Sequence, residues 1–502
     1  MPGKKQSLET SLYPLLISRL DGSRIGEAPY KNRILTLIEK GISGFILFGG
    51  QKDEVKSFIC KMQALAETPL FMASDIERGV DQQVSGYTPF PCQMAVAAAI
   101  EKDSPDDMLL LSNAVKTVAD EAKDAGLNMP LIPVLDVNQD PDNPIICTRA
   151  FSDSPETTAW LGELYVSLLE EARLFSCAKH FPGHGDTSQD SHIQLPVIRK
   201  SYEDLERTDL VPFKKAIEAG VSSVMVGHLV VSAIDNRPAS LSEKLITGLL
   251  RKELGFEGLV MTDALNMHAL KGIKNVPARS LKAGVDILLH PDDPDVTVRE
   301  LASSLKSGEI SGEHIEAASA RIVRAKKKIQ KMETDAIDWR IHRELSSEIT
   351  DKSITLVKYT PGILPLSGSD KVSVVLAGDD KYFGSSLLKT FCESITSPNE
   401  RVLSPGESSD EIRVFAVFTS VSAWKGSSGI DGSEKERINR SIRGAGHSIV
   451  ISFGSPYILR HFRDADLLIA AYEPTAQAQK AVIRCLSGNL KFQGRLPVSL
   501  DI

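Results

Sequence analysis

Short, almost wholly apolar runs recur through the first 300 residues, near 13–22, 41–48, 70–75, 129–137, 174–180, 221–228, 258–263 and 284–290. Between them lie amphipathic segments such as 106–125 and 156–172. Their apolar residues return every three or four positions, the period of a helix with one buried face. A strand that is apolar throughout needs cover on both faces, and alternation with helices supplies it in a parallel sheet. Eight such units predict a closed (β/α)8 barrel. Six of the runs end in a polar or ionisable residue: Asp75, Asp136, His180, His228, Asp263 and His290. In such a barrel the C-terminal ends of the strands form the mouth where chemistry is done.

At 502 residues the chain is too long for one core. From about 311 to 357 it is charged and reads as helical, with the basic cluster Arg321 to Lys331 as a solvated helix face. Residues 360–370 carry two prolines and two glycines and read as a linker. A second alternating region follows, with strands at 372–378, 413–419, 447–454 and 465–472 and a helix near 384–394. The predicted layout is a catalytic barrel over 1–345, a helical segment and linker over 346–370, and a smaller three-layer α/β sandwich over 371–502. No GxGxxG or GxxxxGK[ST] follows a strand, so nucleotide binding is not indicated.

A net charge of −8 argues against a general partner among nucleic acids or anionic membranes. No apolar run approaches the roughly 20 residues that span a bilayer. The N-terminal segment lacks the apolar stretch and small-residue cleavage site of a signal peptide, which predicts a cytoplasmic protein. The six cysteines are scattered with no CxxC pair, and read as small buried or half-buried thiols rather than a zinc knuckle or a disulfide framework.

The stretch Lys179 to His192, KHFPGHGDTSQDSH, concentrates titratable groups on a loop broken by Pro182, Gly183 and Gly185. It follows a short strand, the usual layout of a catalytic loop on a rigid scaffold. Downstream, Asp263 ends the apolar run GLVMTD, where a carboxylate is costly unless hydrogen-bonded or employed. Fixed at a strand end, it suits nucleophilic attack on an electrophilic carbon, as in glycosidases that pass through a covalent glycosyl intermediate. Such a mechanism also needs a group that protonates the leaving oxygen and later deprotonates water. Asp190 and His192 fit that need as a carboxylate–imidazole pair. A metal site built from His180, His184, Asp190 and His192 is the rival reading. Lys179 sets a positive charge beside it, and Pro182 and Gly183 keep His180 and His184 off a shared helix face, so no metal ligand is assigned.

KHFPGHGDTSQDSH together with GFEGLVMTDALNM resembles glycoside hydrolase family 3, in particular its β-N-acetylglucosaminidases of NagZ type. Similar segments, among them ITLVK, SFGSPY and GRLPVSL, extend the resemblance over nearly the whole chain. It implies Asp263 as nucleophile, His192 with Asp190 as the acid/base dyad, and Lys179, His180, Asp75 and Arg149 as sugar-binding residues, with His228 at a further pocket position. The chain departs from the family at DIERGVDQQ, where DQEGGRVQR is more usual. The implied activity is removal of terminal GlcNAc from peptidoglycan fragments without a cofactor. A phosphorylase or β-glucosidase of the same family, and a carbohydrate-binding protein on a degenerate barrel, are the alternatives.

Overall fold

The computed structural model describes residues 8–329, 336–368, 370–395, 411–421 and 425–502. They divide into two compact units, one of Met1–Phe90, Ser112–Val137 and Pro155–His342, the other of Pro91–Leu111, Asn138–Ser154 and Arg343–Ile502.

The first unit is the barrel. Its strands are β1 (Leu16–Asp21), β2 (Gly44–Phe48), β3 (Phe71–Ser74), β4 (Met129–Pro130), β5 (Cys177–Phe181), β6 (Ser223–Val226), β7 (Leu259–Thr262) and β8 (Leu288–Leu289). All pairings among them are parallel and each strand neighbours the next in sequence, with β8 returning to β1. Bridges Val134↔Lys179 and Met261↔Ile287 join β4 to β5 and β7 to β8, closing the ring. Every predicted strand of the barrel is present. Buried positions dominate them, as strands walled by helices outside and by side chains inside require. The helices turn one stripe inward: Ile34, Leu37 and Ile38 on Ala28–Glu39, and Val55, Phe58, Ile59 and Met62 on Lys52–Leu65. Neighbouring strands approach so closely at Gly44 that a Cβ there would lie 2.0 Å from the Phe71 carbonyl oxygen, so only glycine fits.

The second unit is built on a five-stranded sheet in the order β9 (Thr355–Lys358), β13 (Leu467–Ala470), β12 (His447–Phe453), β11 (Glu411–Phe418), β10 (Lys371–Gly378). Only the β9–β13 pairing is antiparallel. One core cluster packs Leu388 and Val482, from helices Leu387–Ile395 and Ala476–Leu486, against the sheet. The other joins Ile438 of helix Gly432–Arg443 to Tyr457 and Phe462, and includes Met94, Ala95 and Cys147 from the two early segments of this unit. Helices on both faces make it the expected three-layer sandwich.

Two expectations need correction. The helical reading of 311–357 runs too far, because Thr355–Lys358 forms the antiparallel edge strand β9. The basic cluster is not simply a solvated face either. Arg321 pairs with the buried Asp286 at 2.8 Å, and Lys326 is buried with its Nζ 3.1 Å from Thr68 Oγ1. Lys331 lies outside the described residues. Among the described residues no helix is long and apolar enough to cross a membrane.

Candidate active site

The C-terminal ends of β3, β5 and β7 and the loops after β4 and β5 bring most of the selected side chains to the barrel mouth. Lys179, on β5, is only 1% exposed, and its Nζ contacts Asp75 Oδ1 at 2.7 Å and Glu77 Oε1 at 2.8 Å. A buried ammonium is tolerable when carboxylates neutralise it, and two do so here. The trio keeps one net negative charge, and Asp75, 29% exposed, presents it outward as a hydrogen-bond acceptor.

The neighbouring His180 is joined to Lys179 by a cis peptide bond and turns its Nδ1 to Asp136 Oδ2 at 2.7 Å. Asp136 is fully buried, and its other oxygen accepts the backbone N–H groups of His180 and His184. Burial by itself would raise the Asp136 pKa, but His180, His184 and these bonds outweigh it and lower it. An ionised Asp136 therefore fixes the His180 ring through Nδ1–H and turns Nε2 the other way. His184 is buried under the turn, where burial pushes its imidazole down to about 4.

Asp190 and His192 stand together. Asp190 Oδ1 accepts the backbone N–H of His192 at 2.8 Å and contacts its ring Nδ1 at 2.9 Å. The carboxylate is buried, whereas the His192 side chain is 23% exposed. A buried acceptor at Nδ1 leaves Nε2 as the outward nitrogen, the geometry a proton-transfer imidazole needs.

Asp263 follows β7 directly, and its Oδ1 accepts the N–H of Ala264 at 2.7 Å. Desolvation works to raise its pKa, but the fields of His180, His228 and His192, with the Ala264 N–H, bring it down to about 2. The carboxylate is thus ionised and aimed into a cluster of imidazoles. His228 sits behind it, fully buried, with Nδ1 2.8 Å from Ser240 Oγ and Nε2 3.1 Å from the Ala264 carbonyl. Both ring nitrogens are engaged by the protein, so His228 holds the carbonyl of Ala264, the residue after the nucleophile, rather than facing the mouth. Arg149 belongs to the second unit, on the turn Cys147–Arg149, where its Nη1 donates to the Ile145 carbonyl at 3.0 Å.

Sequence reasoning assigned no role to three mouth residues, although it marked Asp136 and His290 as polar strand ends. Glu77 lies two positions beyond Asp75 in the segment that departs from the family pattern, and its pairing with Lys179 emerges only when β3 and β5 meet at the mouth. Asp136 ends a strand run, yet its role as the anchor of His180 has no local signature. His290, after β8, has Phe48 beside it at 5.6 Å between ring centroids, and its imidazole feels the charges of Asp75 and Asp263. Among the described residues no group of three or more His, Cys, Asp or Glu is disposed to hold a metal ion.

The pattern of the Glycosyl hydrolase family 3 N terminal domain matches residues 30–325. A beta-hexosaminidase A of Pseudoalteromonas piscicida is 27% identical over 538 residues, covering 92% of this chain and 89% of that protein. The solved structure of a glycoside hydrolase family 3 beta-N-acetylglucosaminidase from Paenibacillus sp. strain FPU-7 superposes with a TM-score of 0.80 at 26% identity, over 98% of this chain and 99% of that one. A beta-glucoside phosphorylase, BglX, shares the fold with a TM-score of 0.86 at 23% identity, over 99% of this chain and 94% of its own.

Proposed function

The chain belongs to glycosyl hydrolase family 3 and is a glycoside hydrolase; on that premise we propose that it is a retaining, exo-acting β-N-acetylglucosaminidase acting on terminal, non-reducing β-linked GlcNAc. The observation that carries the reading is the Asp190–His192 pair, 2.9 Å apart, close enough to the ionised Asp263 for the imidazole to act on its charge. A nucleophile that stays ionised and a separate group that carries the proton are the two components of a double displacement.

In this mechanism Asp263 attacks the anomeric carbon, and His192 gives the proton on Nε2 to the glycosidic oxygen as that bond breaks. Asp190 stabilises the imidazolium before transfer and fixes the tautomer afterwards, with Nδ1 as the bonded nitrogen. His192 then takes a proton from water, which attacks the glycosyl–Asp263 ester and releases the sugar with retained configuration. Asp75, Lys179 and His180 hold sugar hydroxyls, with Glu77 and Asp136 as their anchors. His228 holds the Ala264 carbonyl and so helps fix the residue whose own N–H binds the nucleophile. On this reading the natural substrates are peptidoglycan fragments such as GlcNAc–MurNAc disaccharides, met in the cytoplasm, and no cofactor takes part.

A second reading has one observation in its favour. An imidazole in the place of a carboxylic acid brings no negative charge to repel phosphate, so phosphate could take the place of water in the second step. Chromogenic β-GlcNAc and β-glucoside substrates assayed side by side, with phosphate varied, separate the cases. The proposal expects release of free GlcNAc at a rate indifferent to phosphate and poor turnover of the glucoside. A sugar 1-phosphate product would replace it with phosphorolysis, and preference for the glucoside with β-glucosidase activity.

A further inference from the structure

The residues assigned so far occupy one side of the barrel mouth, from β3 round to β7. The rest of the ring is β8, β1 and β2, which contribute His290, Arg19 and Phe48. His290 is 8% exposed, and neither ring nitrogen bonds to a described residue. A polar ring at the mouth that the fold itself leaves unbonded is open to a bound molecule, and His290 is such a ring. Its backbone stands at φ 48°, a left-handed conformation that non-glycine residues rarely adopt and that clusters at ligand sites.

The surroundings fit a ligand. Arg19 is 48% exposed although β1 has a partner strand on either side and the flanking Ser18 and Leu20 are buried, so its side chain opens onto the mouth. Its guanidinium lies 4.8 Å from the Phe48 ring centroid. Burial first, and Arg19 next, push the His290 imidazole down to about 4, against the weaker pull of Asp292, Asp75 and Asp263. The ring therefore offers one N–H and one lone pair, the complement of a hydroxyl, which both accepts and donates.

We propose that His290 is a sugar-binding residue, its imidazole bonding a hydroxyl on the pyranose edge across the barrel from β4 and β5, with Phe48 and Arg19 completing that wall. This rests on the reading of the site as a β-GlcNAc pocket and adds a contact on the edge that Asp75, Lys179 and His180 do not reach.

The test couples a variant to the substrate. Wild type and His290→Asn, which suits a left-handed backbone and shortens the reach, are assayed on p-nitrophenyl β-GlcNAc and its 3-, 4- and 6-deoxy analogues. The expected loss in kcat/KM on the parent is about tenfold, as for one hydrogen bond to a sugar. One deoxy analogue, already slow with wild type, should lose nothing further. A variant within twofold of wild type on the parent, or an equal loss on all four substrates, overturns the proposal. A second measurement is independent of turnover: histidine ¹³C NMR of Asp263→Asn protein titrated separately with GlcNAc and glucose, with His290→Asn added to identify the resonance. The His290 signal should move saturably with at least one sugar, and stillness with both sinks the wall. Failure of wild type to turn over the parent overturns the functional reading alone, since the titration still reports on His290.

Discussion

At the scale of single residues, the proposed chemistry depends on dividing one carboxylic acid's duties between two side chains. Asp190 is buried and fixed, and His192 reaches out to move the proton. His192→Ala should therefore cost little, within about tenfold, on aryl glycosides whose leaving groups need no proton. It should cost about 10²–10⁴-fold on a GlcNAc–sugar linkage, the usual range for a positioned acid. Parallel steady-state assays on both substrates check this, and equal losses would remove His192 from the role. The pH profile adds a constraint. Because the Asp263 pKa lies near 2, below the ordinary carboxylate value, this group is ionised throughout the working range, so an acid-side fall in kcat/KM above about pH 3 must report another group. The residues proposed for these roles stood out in sequence because polarity is conspicuous beside an apolar run: Asp263 after GLVMT, and six titratable groups on one loop. Glu77 gave no such signal, and His290 was marked only as a strand end, since their partners come from strands 100 residues or more away, β5 for one and β1 and β2 for the other.

Among the elements, the barrel strands announce themselves by being apolar on both faces, and all eight appear near their expected positions. The errors lie where charge was taken to mean exposure. Lys326 stands in a run of basic residues on helix Gly312–Lys326, yet its stem is buried and its ammonium lies 5.7 Å from the Phe71 ring centroid. Burial pushes its pKa from 10.5 down to about 8. The unfolded chain therefore binds the additional proton between those values, so stability should rise as pH goes from about 8 to 10.5 and carry the full penalty below that window. Lys326→Met should raise the unfolding free energy at pH 7 by about 2 kcal/mol, net of the lost Thr68 bond, and flatten that rise. Urea titrations at pH 7 and pH 10 would show it; an unchanged midpoint at pH 7 would contradict it. The edge strand β9 was missed for the converse reason. Four residues after a helix carry little periodicity, and their strand character comes from pairing with β13.

On the scale of the whole molecule, the two-unit plan was readable from chain length, the linker at 360–370 and the second alternating region, but the membership of 91–111 and 138–154 was not. Cys92, Met94, Ala95, Ala98 and Cys147 are small or apolar residues that would suit either core, and only the folded chain assigns them to the cluster with Phe415, Tyr457 and Phe462. A chain ended after His342 should accordingly fail as an isolated barrel. It would leave those residues without their partners, exposing a contiguous apolar patch. Expression of residues 1–342 alone should give aggregated or molten protein that binds a hydrophobic dye; a monodisperse fragment with cooperative melting would refute this.

The same threading imposes a timetable on synthesis. Met94 leaves the ribosome more than 300 residues before Glu411–Phe418, a strand that supplies Phe415 and Val417 to its eventual packing cluster. At about 5–20 residues per second that is a delay of roughly 15–60 s, during which the segment's apolar side chains have no native neighbours. The cell must tolerate or chaperone that interval for every copy it makes. Slowing elongation between the two segments and the second sheet would lengthen the exposure without altering a single contact in the finished protein.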